Sequence, residues 1–323
     1  MGNGAWNDNT YRAAATFRRA RGIDDFGYSA ELFDRPRDQW RADRTMDPFG
    51  VPVRESRDSA EHPNSTPIAV LFDVTGSMGR VPRIMQTKLG QLHGLLQHGG
   101  YVPDPQIMFG GIGDAQSDRV PLQVGQFESD NRMDDQLRTI FLEGNGGGQK
   151  SESYELATYF IARHTVTDAW EKRGRKGYLF IVGDEMNKPM LSAGHLRQVL
   201  GEPAYDDVDV RELYREVQER WHTYFILPQQ SHYFDDQQVR RHWQALLGER
   251  MLLLDDPAAV CELIAVTIGM VEGAIDLVDG LVDLQNAGST QGNSVGRALA
   301  AVGTRRGRTL RELPAGRREV GRR

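Results

Sequence analysis

Two short stretches of the chain are apolar without interruption, residues 68–72 and 178–182. Runs of this length bounded by polar turns read as strands buried on both faces of a sheet. Around them the apolar period alternates between strand and helix. The pattern predicts a helix at about 81–97, a strand at 106–112 and a short edge strand at 122–127. Helices follow at about 133–140, 153–164, 193–200 and 210–220, then a strand at 223–227, a helix at 236–247 and a strand at 250–254. Strands alternating with helices predict an α/β fold, a doubly wound and mainly parallel sheet covered on both faces.

The flanks behave differently. Residues 1–65 contain one helical stretch near 10–21 and then an Asp/Arg/Pro-rich run with no sustained period, so they read as an N-terminal arm whose aromatics pack along the larger body. Asp256-Pro257 signals a helix start, and apolar positions at Val260, Ile264, Ile268, Val271, Ile275, Val278 and Val282 continue it to about 285. One long C-terminal helix is expected there, its last turns resting on the arm or on a partner. Residues 286–323 hold seven glycines among nine arginines and little apolar surface. Such a segment does not recover its ordering entropy alone. The expected organisation is therefore an arm (1–65), a body (66–285) and a mobile Arg/Gly-rich tail (286–323) in which Val295, Leu299 and Val302 allow one short helix.

Composition narrows the class. The 323 residues are 39% hydrophobic and 26% charged, as in a soluble globular chain. No apolar run is long enough to span a bilayer and the N-terminus has no signal-like apolar region, so a cytoplasmic location is expected. A single cysteine, Cys261, excludes a disulfide framework and a Cys-rich zinc site. The net charge of −6 divides unevenly, with +7 on residues 286–323 and −12 on residues 66–285. An acidic body is not a nucleic-acid-binding domain, so only the arginine tail offers a nucleic-acid contact.

In doubly wound sheets ligands bind beyond the carboxyl ends of the strands, near a topological switch. Directly after the first buried strand stands DVTGSM, with Asp73, Thr75 and Ser77 at alternate positions. One carboxylate and two hydroxyls on a tight loop are hard oxygen donors, suited to Mg2+ or Mn2+ rather than to Zn2+ or Cu2+. A helix-capping turn is the competing explanation of the same residues. Asp184 and Glu185 follow the second buried strand, and Asp114 and Asp118 follow the 106–112 strand.

The segment IAVLFDVTGSMG resembles the first strand and first metal loop of a von Willebrand factor A domain, whose metal-ion-dependent adhesion site uses Asp-x-Ser-x-Ser. The resemblance extends over about 67–285 and is of the bacterial intracellular type. It implies a third loop supplying Asp184, from GYLFIVGDE, and a second loop within GNGGGQKSESYELA, residues 144–157. Thr75 replaces the usual first Ser and keeps the hydroxyl. The second loop lacks the usual Thr, leaving Gln149, Ser151 and Glu152 as its oxygens, of which Ser151 is the expected ligand and also a candidate helix cap. The resemblance implies a metal-dependent protein-binding adaptor without catalytic activity, in which a partner's Asp or Glu carboxylate completes a Mg2+ (or Mn2+) site. Intracellular relatives imply ring-shaped AAA+ ATPases of the MoxR type as partners.

Two other readings compete. Residues 144–151 nearly match the phosphate-binding loop GxxxxGK[ST], but Gln149 stands where Gly lets backbone approach phosphate. A Mg2+-dependent phosphotransfer or hydrolysis enzyme would hold Mg2+ at Asp73 and Asp184, or use the degenerate phosphate loop with Lys150, with Asp114, Asp184 and Glu185 as its acids. A structural assembly subunit with a vestigial metal site would use the arm, the long helix and the tail. The eight His show no paired ligand spacing, and no Gly-x-Ser-x-Gly elbow is present.

Overall fold

The computed structural model describes residues 4–22, 27–145, 148 and 150–309. Its centre is a six-stranded sheet built from β1 (Ser65–Asp73), β2 (Asp104–Ile112), β3 (Leu122–Val124), β4 (Gly177–Val182), β5 (Trp221–Pro228) and β6 (Met251–Leu254). The strand order is β6-β5-β4-β1-β2-β3, with every pairing parallel except the antiparallel edge strand β3. This is the mixed α/β, doubly wound arrangement. The order of connection reverses between β1 and β4, which makes their carboxyl ends the switch point.

β1 is paired along both edges, running from Ser65 beside Asp104 to Asp73 beside Ile112 on one side and from Ile68 beside Tyr178 to Phe72 beside Val182 on the other. Its side chains alternate between two cores, as a strand with period two must. Ile68, Val70 and Phe72 enter one core, together with α2 (Val81–Leu89) and α3 (Leu92–Gly99). Ala69 and Leu71 enter the other, built with α5 (Tyr154–Arg163), α6 (Val210–Arg220) and α7 (Gln237–Leu247). Two further helices are α1 (Asp8–Ala20) in the arm and α4 (Arg132–Thr139), which adds Met133 and Leu137 to the first core. The single helix expected at 81–97 is two, separated around Gly90 and Gln91.

The arm lies against the body at several points. Trp6 is buried with its ring 5.7 Å from His93, and Arg54–Ser56 forms a short parallel ladder with Thr165–Thr167. Arg57 pairs with Asp168 at 2.9 Å and Asp58 with Arg173 at 2.7 Å.

Two expectations about the C-terminal third are corrected. The long helix is broken: after a turn at Pro257–Ala259, α8 runs Val260–Glu272 and stops at Gly273, whose φ of +72° is a left-handed cap that glycine adopts without a Cβ penalty. A second helix, α9 (Leu277–Asn286), restarts on a capping box between Asp276 and Asp279. The apolar stripe does not continue across the break, and Val278 and Val282 are 68% and 48% exposed. Nor does the folded body end at Gln285. A further helix, α10 (Gly292–Thr309), places Val295 and Leu299 in the first core at 0% exposure. Ser294 and Arg297 hold Asp255 at the end of β6, the latter at 2.5 Å. Among the described side chains, Val295, Ala298 and Leu299 with the polar clamp on Asp255 anchor a segment whose composition alone reads as unstructured. The part of the expected tail from 310 to 323 lies outside the described residues.

Candidate functional site

β1 ends in Asp73 and the chain turns at once through Thr75 into the single 3-10 turn Gly76–Met78. The Asp73 carboxylate folds back on this turn. One oxygen accepts the Thr75 N–H at 2.7 Å and the Thr75 hydroxyl at 2.6 Å. The Thr75 and Ser77 hydroxyls lie 3.2 Å apart, and Ser77 donates to Asp184 Oδ1 at 2.7 Å. The other Asp184 oxygen accepts the Tyr233 N–H at 3.2 Å. Asp73, Thr75, Ser77 and Asp184 are therefore one hydrogen-bonded chain across the carboxyl ends of β1 and β4. The turn is held in place from two sides, by His232 N–H on the Ser77 carbonyl and by Gly76 N–H on the Asn145 carbonyl.

Ser151 does not join this chain. No hydrogen bond links it to the four residues among the described residues, and it lies half-buried in a two-residue strand, Ser151–Glu152, paired in parallel with Met186–Asn187. Neighbours on a strand point to opposite faces, so Ser151 and Glu152 cannot both face the site. The phase of the ladder buries Glu152, which is 1% exposed. The helix cap falls on Ser153, whose hydroxyl is engaged by the Ala115 N–H at 2.9 Å. Gln149 lies outside the described residues.

Glu185 sits on the same side, 4% exposed, with its backbone carbonyl accepting the Trp243 indole N–H at 2.7 Å. Asp73, Glu152, Asp184 and Glu185 thus bring four buried carboxyls together, and none of them is ion-paired to Lys or Arg among the described residues. The electrostatic consequence is large. Burial, with Asp184 next, pushes Asp73 up to about 7; burial, with Asp73 and Glu185 next, pushes Glu152 up to about 11. Glu185 rises to about 8 through burial and the nearby Asp73, and burial raises Asp184 as well. One oxygen each of Glu152 and Glu185 is buried without a hydrogen-bond partner.

Asp114 behaves differently. Burial pushes it up, but the Lys188 ammonium bonded to it outweighs this and holds it below the usual carboxylate range. Asp118 accepts the Asp114 N–H at 2.8 Å and is pushed up to about 6 by burial and by Glu143. These two acids form a separate, internally satisfied cluster behind the Ser153 hydroxyl.

Among the described residues the phosphate-loop reading finds no support in the geometry. The apolar stretch 139–143 that would lead into the loop is a helix end followed by irregular chain rather than a strand, and Lys150 is ion-paired to Asp236 at 2.6 Å. His222, His232 and His242 do not converge; His242 bonds to Asn187 at 2.6 Å and the His232 ring lies against Tyr233.

The donor set of the Asp73 chain is hard oxygen throughout, and unpartnered buried carboxylate oxygens adjoin it, which fits a small divalent cation. Among the described residues no three His, Cys, Asp or Glu side chains are arranged as a ready-made metal cage. Two of the four groups in the chain are hydroxyls, and both carboxylates are turned onto hydrogen-bond donors.

No protein-family model matches the chain and no curated protein does. Among solved structures the chain is similar to a von Willebrand factor type A protein from Catenulispora acidiphila (14% identity, TM-score 0.40, 65% of this chain and 43% of that one). It is also similar to the pilus adhesin SpaC from Lactobacillus rhamnosus GG (11%, 0.45, 67% and 31%) and to proximal thread matrix protein 1 from the mussel byssus (10%, 0.43, 63% and 47%). The chain spans less than half the length of each. The architecture itself rests on the strand order and pairing given above.

Proposed function

We propose that this chain is a metal-ion-dependent protein-binding adaptor, with Mg2+ (or Mn2+) held by Asp73, Thr75, Ser77 and Asp184. The observation that carries this reading is the hydrogen-bonded chain of two carboxylates and two hydroxyls at the switch point of a doubly wound sheet. A cation there would be bound by few charged groups directly and would stay electrophilic toward oxygen. Without the cation, Glu152 is raised far enough to keep its proton near neutrality and can donate to Glu185; a bound divalent charge would lower both. The ligand that completes the site is then a carboxylate, an Asp or Glu of a partner protein. Affinity follows from completing the coordination sphere, and removing the cation removes it.

The adaptor is read as a binding protein without turnover of its own. The partner suggested by the resemblance of DVTGSM and GDE to the adhesion-site loops is a MoxR-type AAA+ ATPase in the cytoplasm. No helix among the described residues is long and apolar enough to cross a membrane. The test is capture of partners by the full chain in Mg2+ and in EDTA, beside Asp73→Ala. Partners retained in Mg2+ and lost in both other conditions support the reading; the same partners held in all three overturn it. A MoxR-type ATPase in the first set supports the named partner.

A further inference from the structure

The Tyr154 hydroxyl occupies a place in this site that none of the metal-loop residues explains. Tyr154 opens α5 and is completely buried, yet its oxygen reaches the carboxyl ends of two different strands. It donates to Asp73 Oδ2, the carboxylate oxygen that Thr75 does not use. The same oxygen accepts the backbone N–H of Asp184 at 3.2 Å and lies 3.3 Å from that of Glu185. One hydroxyl therefore bonds to the first acidic residue of the site and to the backbone that carries the last one.

The ring has no room to leave this position. It meets Phe225 and Trp243 edge to face, at 5.8 and 5.6 Å between centroids, and Trp243 is itself pinned through its indole N–H to the Glu185 carbonyl. A Cβ at Gly183 would overlap the Tyr154 hydroxyl and ring, so the glycine of VGDE is the space that the phenol needs. Burial and the surrounding carboxylates raise the phenol far above its usual value, and it remains a donor at any physiological pH.

Resting on the metal-site reading, we propose that Tyr154 is a positioning residue. It fixes the rotation of Asp73 so that one carboxylate oxygen stays on Tyr154 and the other faces Thr75 and the cation position. It also locks the β4 loop, and with it Asp184, at a set distance from β1. Without the hydroxyl, Asp73 Oδ2 would be buried with no donor, and the carboxylate would regain a hydrogen bond only by turning. That rotation removes the correctly aimed oxygen that a cation requires. Hydrogen bonds to charged groups are strong enough that the expected loss is on the order of tenfold to a hundredfold in cation affinity.

The test is Mn2+ affinity of the full chain by calorimetry for wild type, Tyr154→Phe and Tyr214→Phe, with urea unfolding of each. Tyr214 is the control: it is equally buried, also lies against Trp243, and its hydroxyl bonds to Thr158 rather than to the site. At least tenfold weaker binding in Tyr154→Phe alone, with cooperative unfolding kept, supports the proposal. Equal affinity in Tyr154→Phe, or equal weakening in Tyr214→Phe, overturns it while leaving the metal site standing. Wild type that binds no Mn2+ or Mg2+ overturns the metal-site reading and this one together. If Tyr154→Phe does not fold, 3-fluorotyrosine placed at 154 reports by 19F resonance. A shift on adding Mg2+ that is absent in Asp73→Ala supports the proposal; an unmoved resonance overturns it.

Discussion

Glu152→Gln is the substitution whose consequence can be worked furthest. The Glu152 carboxyl moves from an ordinary value of 4.5 in the unfolded chain to about 11 in the folded one. Between pH 6 and 9 the native state therefore keeps a proton that the unfolded state has lost. Stability changes with pH in proportion to protons bound by the unfolded state minus those bound by the native state, and this difference is negative. The contribution is fully present below the unfolded value and is lost as pH rises toward the folded one. One proton gives a slope of about −1.4 kcal/mol per pH unit, hence about −4 kcal/mol from pH 6 to 9. A whole domain has roughly 5–15 kcal/mol, so the effect is readily measured.

Other groups enter the same window and must be separated from it. Asp73 near 7, and Glu155 and Glu185 near 8, slope in the same direction below those values. His195 and His242, lowered by burial, slope the other way below about 6.5. Glutamine at 152 keeps the shape and removes that titration, so the difference between the two pH profiles reports the proton that the cluster of Glu152, Asp73 and Glu185 loses with it. Urea unfolding in EDTA at four pH values should show wild type losing stability more steeply than Glu152→Gln, the profiles diverging by about 1.4 kcal/mol per unit. Parallel profiles would refute the reasoning, since Glu152 would then titrate alike in both states.

Three further outcomes are expected. Asp73→Ala should abolish Mg2+ and Mn2+ binding while leaving unfolding cooperative, and calorimetry showing unchanged Mn2+ affinity would remove Asp73 from the site. Leu299→Ala should cost about 2–5 kcal/mol as a buried leucine does, whereas Val278→Ala on the exposed face of α9 should change stability by no more than about 0.5; equal effects in denaturant titrations would place α10 outside the core. Gly183→Ala should displace the Tyr154 ring and weaken Mn2+ binding at least as much as Tyr154→Phe, and an unchanged Kd would show that the loop gives way without moving the phenol.

What was legible in the sequence was local. The run IAVLF is buried on both faces because nothing polar interrupts it, and the loop after it must then emerge at the carboxyl edge of the sheet, carrying Asp73, Thr75 and Ser77 with it. Asp184 is legible for the same reason, two residues beyond an apolar strand. The break in the C-terminal helix was also written locally, in Gly273 and in Asp276-x-x-Asp279, but the three-and-four spacing of valines and isoleucines runs across both and outweighed them. Helix α10 was legible only as a short helix at Val295, Leu299 and Val302: seven of residues 286–323 are glycine, and the core that buries Val295 and Leu299 is supplied by residues distant in sequence.

The choice between Ser151 and Glu152 lies beyond any local reading. Both are oxygen donors, both precede the same helix, and they differ only in which face of a strand they occupy. That face is set by the register of Ser151 against Met186 and of Glu152 against Asn187, a pairing with a segment on the far side of α5 and β4. A slip of one residue would exchange the two, putting a hydroxyl into the site and a carboxylate toward its rim. The carboxyl pushed up to about 11 would then leave the site, while Asp73 and Asp184 would still be raised by their own burial. The observed register instead buries Glu152 beside Asp73 and Glu185, and burial with these neighbours pushes Glu152 itself up to about 11, whereas Asp73 and Asp184 are raised by their own burial and Asp73 also by Asp184. The two-residue ladder thus decides whether a further carboxyl that holds its proton adjoins Asp73 and Asp184, and only the folded pairing reveals it.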